Sequence, residues 1–124
     1  MPFTYVFDPA ARIVRTLGHG LIRIDDITAH LQALVDAGLA HVPQLIDSRA
    51  AEHDLSVSDM RRLAKLVGTV PTAEGAPRRT ALVVTIMVDY GMARMYGGLS
   101  AETDSGFAVF QDLAEAEAWL TGAS

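Results

Sequence analysis

The sequence predicts an α/β domain built on a mixed, mostly parallel sheet with an N-terminal β-hairpin. Three observations carry that expectation. Phe3, Tyr5 and Phe7 alternate with Thr4 and Val6, the period-2 pattern of a strand rich in aromatic and β-branched residues. Ile27, Leu31, Leu34 and Val35 recur at i, i+4, i+7 and i+8, the stripe of an amphipathic helix. Thr80 to Val88 is almost wholly apolar, as a strand covered on both faces must be.

The elements follow in order. Asp8-Pro9-Ala10-Ala11 reads as a turn, because Asp bonds ahead to the backbone and Pro presets φ. Arg12 to Leu17 is then the returning strand of a hairpin. Gly18-His19-Gly20 interrupts it, and Leu21 to Ile24 extends it past a bulge. Asp25 and Asp26 are acidic candidates for the cap of the first helix, and Gly38 is its natural stop. Val42 to Asp47 is a short apolar strand whose early Pro43 is tolerated at a strand's start. Ser56 and Ser58 are both placed to cap a helix whose apolar face is Met60, Leu63, Ala64 and Val67. Gly68 to Arg79 is a turn-rich connection, and Asp89 is placed to cap a helix bearing Met92, Ala93, Met95, Tyr96 and Leu99. Phe107 to Phe110 is a short last strand. Asp112 with Glu115 makes a capping-box pattern for a final helix buried through Leu113, Ala116, Trp119 and Leu120. The predicted order is β-β-α-β-α-β-α-β-α, a single domain over residues 1–124.

Composition bounds the function. A chain of 124 residues, half of them hydrophobic, has enough apolar surface for one core without staples. With no Cys, disulfides, thiolate metal sites and Cys nucleophiles are excluded. The opening lacks a basic segment followed by an apolar run, and no apolar stretch approaches membrane-spanning length, so a cytoplasmic protein with no membrane span is expected. A net charge of −5 argues against nucleic-acid binding. No Lys or Arg follows Arg94, whereas Glu102, Asp104, Asp112, Glu115 and Glu117 do. That acidic end is either a solvated helix surface or a docking face for a basic partner.

Three stretches stand out: FTYVFDPAARIVRTLGHG, QLIDSRAAEHDLSVSDMRRLAKL and YGMARMYGGLSAETDSGFAVFQDLAEAEAWL. Together they resemble the STAS / SpoIIAA-like domain family, which includes the anti-sigma-factor antagonists and small bacterial STAS/SEC14-type proteins. The resemblance covers almost the whole chain. It implies a non-enzymatic regulatory or protein-interaction module whose partner is another protein, such as an anti-sigma-like kinase or regulator. The antagonists carry a phosphorylatable Ser in an Asp-x-Ser-Gly loop, onto which Asp54 and Ser56 map, with Val57 standing where the family has Gly. A tight turn and close kinase approach favour Gly there. Ser56 is therefore either a phosphorylation site at a helix N-terminus or a plain N-cap.

Other chemistry is sparse. His19, His30, His41 and His53 show no metal-ligand spacing. There is no G-x-S-x-G elbow, no phosphate-binding P-loop and no dinucleotide fingerprint around Gly18-His19-Gly20, so no catalytic residue, cofactor or metal site is assigned. Asp47, Asp54 and Asp89 are expected near strand ends, either capping helices or holding a cation. Met87, Met92, Met95 and Tyr96 form a soft apolar cluster. It is core, or a pocket for a small apolar or lipid-like ligand of the kind the SEC14-type branch implies, or a homodimer face, with Arg94 placed to meet an anionic head group.

Overall fold

A computed structural model describes residues 2–70, 79–100 and 106–122. Its elements are β1 (Phe3–Asp8), β2 (Ile13–Arg23), α1 (Ile24–Asp36), β3 (Gln44–Asp54), α2 (Val57–Val67), β4 (Thr80–Val83), α3 (Met87–Leu99), β5 (Phe107–Phe110) and α4 (Leu113–Thr121). This is the predicted order. The sheet runs β1-β2-β3-β4-β5, antiparallel between β1 and β2 and parallel elsewhere.

The layering follows from this order. Each crossover from β2 onward moves one strand in the same direction, so right-handed connections put α1, α2 and α3 on one face of the sheet. α4 covers the other face, against β3, β4 and β5. Strand alternation then divides the side chains. Ile13, Leu45, Ala81 and Val83 pack with Ala116 and Leu120 of α4, while Ile46, Ser48, Thr80 and Leu82 face the three-helix layer. The α4 core is edged by Trp119, which meets Phe110 at a ring separation of 5.6 Å and carries the Arg79 guanidinium 4.2 Å above its face. Burial is near complete for Leu31 and Leu34 on α1 and for Met60 and Leu63 on α2, each contributing about 1.5–3 kcal/mol of hydrophobic stabilisation.

The hairpin turn forms as its residues dictate. Asp8 Oδ1 accepts from the N–H groups of Ala10 and Ala11, at 3.0 and 3.2 Å. The turn closes through Arg12, whose φ of 56° takes it out of the strand, so β2 begins one residue later than expected. Gly38 ends α1 with φ +73°, as predicted. Beyond Gly18 the β2–β3 ladder does resume after a register shift, and Gly20 holds φ +73° within it.

Several boundaries differ. β3 does not stop at Asp47. It continues to Asp54 because the extended half of β2 offers it a partner as far as Arg23. β4 ends at Val83 rather than Val88, since β5 supplies only four residues to pair with and the chain then turns into α3. Neither Asp25 nor Asp26 caps α1. Arg23 occupies the cap position and its N–H is bound by the Asp26 carboxylate at 2.9 Å from within the first turn. Asp89 likewise sits inside the first turn of α3, behind Ile86 at the cap. Asp112 does cap α4, accepting from Ala114 N–H at 3.0 Å. Most of the Gly68 to Arg79 connection, and Glu102 and Asp104 of the acidic end, lie outside the described residues. Glu117 is not idle surface: Arg15 bridges it to Asp8.

Two carboxylates give the fold an acid limit. Asp8 is held below the usual carboxylate range, first by the Ala11 N–H and then by Arg15. Asp47 is lowered by the Arg49 guanidinium, whose Nε and terminal nitrogen each lie 2.8 Å from a carboxylate oxygen. A folded pKa below the unfolded one stabilises the protein above about pH 4 and is lost as pH falls through the folded value. Thermal melts should therefore show no pH dependence from these groups near neutrality, where their stabilisation is fully present, and drop in acid, with a shallower acid drop in Asp47→Asn than in wild type.

Candidate functional site

Between the sheet and the layer of α1, α2 and α3 lies a cavity of about 120 Å³. Its body is apolar. Ile46 and Leu82 form the sheet side, Met60 and Leu63 come from α2, and Met92 and Ala93 come from α3. Tyr96 and Phe107, edge to face with centroids 4.9 Å apart, form another wall.

Polar groups stand at both ends. At the N-terminal ends of the parallel strands, Gln44 Oε1 accepts from Thr16 Oγ1 at 2.8 Å and lies 2.6 Å from His30 Nε2. Since that oxygen is an acceptor, Nε2 is the donor in this arrangement. The His30 ring is stacked under Phe3 and meets the edge of Tyr5, at 4.9 and 5.8 Å. Thr80 stands beside Gln44 on the neighbouring strand.

Toward the other end are His53 and Asp89, and Ser48 also lines the cavity. Asp89 comes from the first turn of α3, where the helix dipole favours a carboxylate. Its Oδ1 accepts from the His53 backbone N–H at 3.3 Å, joining α3 to the end of β3. The His53 ring Nδ1 lies 3.5 Å from Asp89 Oδ2, near enough for an ion pair but not aligned as a hydrogen bond. Asp89 is 5 % exposed and Ser48 1 % exposed. Asp89 Oδ2, Ser48 Oγ and Thr80 Oγ1 are all buried and make no hydrogen bond. Native interiors rarely leave such groups unpaired, because an unsatisfied buried acceptor costs about 1–3 kcal/mol and more when charged. Ser48, His53 and Asp89 are residue types of a nucleophilic triad, but no hydrogen bond joins Ser48 to the imidazole.

Ser48 owes its position to a backbone irregularity. Between Leu17/Asp47 and His19/Ala50 the ladder shifts, leaving one extra residue on β3. Gly18 faces that bulge. A Cβ there would lie 2.9 Å from Ser48 Oγ and 3.2 Å from atoms of both Ile22 and Phe3.

The residues singled out by sequence separate. Met92 and Tyr96 line the cavity, whereas Arg94 and Met95 point to solvent, with Arg94 6.0 Å from the Tyr90 ring centre. The four positions are therefore not one surface, because on α3 residues 92 and 96 share the inner face and 94 and 95 do not. Asp54 and Ser56 are exposed at the start of α2, with Leu55 between them turned into the cavity. Asp54 lies 3.8 Å from Arg23. Ser56 is the N-cap of α2 in a reciprocal box: its Oγ accepts from Asp59 N–H, and its own N–H donates to the Asp59 carboxylate, both at 3.0 Å. Asp47, Asp54 and Asp89 do not converge, and among the described residues no group of three or more His, Asp or Glu side chains is placed to hold a metal ion. Among the described residues no helix is long and apolar enough to cross a membrane.

Sequence reasoning missed Gln44, Ser48, Thr80, His30 and His53. A signal existed for the first two. In QLIDS the polar residues Gln44 and Ser48 share the parity of Ile46, so they face one side of a strand buried on both.

No protein-family model matches the chain, and no curated protein matches it. Among solved structures it is similar to an uncharacterized protein of the DUF3478 family from Shewanella loihica PV-4, which has a SpoIIAA-like fold. The identity is 18 % over 95 % of this chain and 93 % of that one, with a TM-score of 0.63. At that identity the likeness establishes the fold alone: this chain has a SpoIIAA-like fold.

Proposed function

We propose that this protein is a non-enzymatic module that binds a small, mainly apolar ligand between its sheet and its three-helix layer. The observation that carries this reading is the cavity itself, apolar in its body and bounded by buried polar side chains that the protein does not satisfy. Ligand sites have this composition: apolar walls for affinity and a few polar groups for orientation. An engineered cavity of ~150 Å³ takes up benzene, so the space here suits a body of about one ring or a short branched chain. Met60 and Met92 in the walls suit an adaptable fit.

A protein-interaction function controlled at Ser56 is the reading that the SpoIIAA-like fold supports next. Ser56 is exposed at a helix N-terminus, where a phosphate is favoured. Its surroundings weigh the other way. Its N–H is already taken by Asp59, Asp54 adds a second carboxylate nearby in sequence, and Val57 replaces the family's Gly.

Mass spectrometry of protein purified from its own host separates the two. The expected result is a native mass exceeding the chain mass by a small molecule that is lost on denaturation. A covalent phosphate mapped to Ser56, with no releasable mass, would support the switch and overturn the ligand reading.

A further inference from the structure

We infer that the cavity's ligand presents a hydrogen-bond donor, a hydroxyl or an amine, to Asp89. This rests on the cavity being a ligand site, and it names the chemistry of the ligand's polar end. Asp89 Oδ1 is occupied by the His53 N–H, while Oδ2 is buried and makes no hydrogen bond, with only the misaligned His53 Nδ1 near it at 3.5 Å. An ionised carboxylate only accepts, so what completes it is a donor. A hydrocarbon leaves Asp89 Oδ2 unsatisfied. A carboxylate ligand would bring like charge against Asp89 and is disfavoured. Thr80 belongs to the other end of the cavity: it pairs with Gln44 at the start of β3, whereas Asp89 holds the His53 N–H near the end of β3. A one-ring ligand held at Asp89 does not reach it.

The test is a calorimetric or NMR titration of the full chain with four compounds of similar shape: toluene, phenol, benzylamine and benzoate. Phenol or benzylamine should bind at least about tenfold more tightly than toluene, the difference expected of a hydrogen bond to a charged group, and benzoate should bind weakest. Asp89→Asn is the informative variant. The His53 N–H keeps the amide oxygen at the Oδ1 position, which puts an NH₂ donor where Oδ2 accepted. The benzylamine preference should vanish while toluene affinity stays within about twofold, because an ammonium only donates whereas a phenol oxygen also accepts from the new NH₂; toluene serves as the measure of an intact cavity. If Asp89→Asn does not fold, the ranking of benzylamine and phenol over toluene and benzoate on the wild type still decides the donor assignment. Toluene binding as tightly as phenol to the wild type would overturn the donor assignment and leave the cavity reading standing. Failure of all four compounds to bind would overturn both. A benzylamine preference that survives Asp89→Asn would remove Asp89 as the acceptor.

Discussion

Gly18→Ala should lower stability by about 1–3 kcal/mol, the range for inserting a carbon into a packed core, with a fall of several degrees in melting temperature. The reason is a three-way approach. The added Cβ would lie 2.9 Å from Ser48 Oγ, 3.2 Å from Ile22 Cδ1 and 3.2 Å from Phe3 Cε1, so β1, β2 and β3 all crowd the one position. Ile22 is fully buried and Phe3 sits on His30, which limits how far either can retreat. The effect should couple to Ser48. In a double-mutant cycle, Ser48→Ala removes the shortest of the three contacts, so the double variant should recover part of the loss instead of adding to it. Denaturant titration of the four proteins measures this. Strict additivity would show that Gly18 is not there to make room for Ser48. Gly20 is the internal comparison: nothing lies within 4 Å of its hypothetical Cβ, and its φ of +73° makes any substitution there a matter of backbone strain alone.

Ala93→Leu should abolish small-molecule binding, weakening toluene or phenol by tenfold or more, without lowering the melting temperature. Ala93 is 7 % exposed on the inner face of α3 and lines the cavity, so the larger side chain grows into existing space. Filling it adds apolar burial at about 0.8 kcal/mol per CH₂ while occupying the volume the ligand needs. The two readouts thus move apart, which a merely damaging mutation would not produce. Met95→Leu, on the same helix but exposed, is the control and should leave binding unchanged. Unaltered toluene affinity in Ala93→Leu would place binding outside this cavity.

The fold was legible because it is written in local patterns. The Phe3, Tyr5, Phe7 alternation, the Asp8 turn, the Gly38 stop and the buried stripes of Met60 and Leu63 or of Ala116 and Leu120 each report on neighbours within one or two turns of chain. Boundaries failed where a distant partner decided them. β3 runs on to Asp54 only because β2 continues beside it past the bulge, and β4 stops at Val83 because β5 is short.

The candidate site was legible only in fragments. Met92 and Tyr96 were drawn from a periodic stripe that does enter the cavity. Arg94 and Met95 came with them as sequence neighbours, and helix geometry sends these two outward. His30 and His53 could not be paired with Gln44 and Asp89 in advance, since the former pair are 14 residues apart and the latter 36.

By itself the sequence determined the element order, the mixed sheet with its antiparallel edge and the absence of thiol chemistry, because hydrophobic period, turn residues and composition are local quantities. Tertiary structure alone decided that three crossover helices share one face and leave a cavity beneath them. It alone decided that a bulge opposite Gly18 sets Ser48 in the wall of that cavity. Both depend on strand register and on contacts between residues far apart in the chain, where no local pattern reaches.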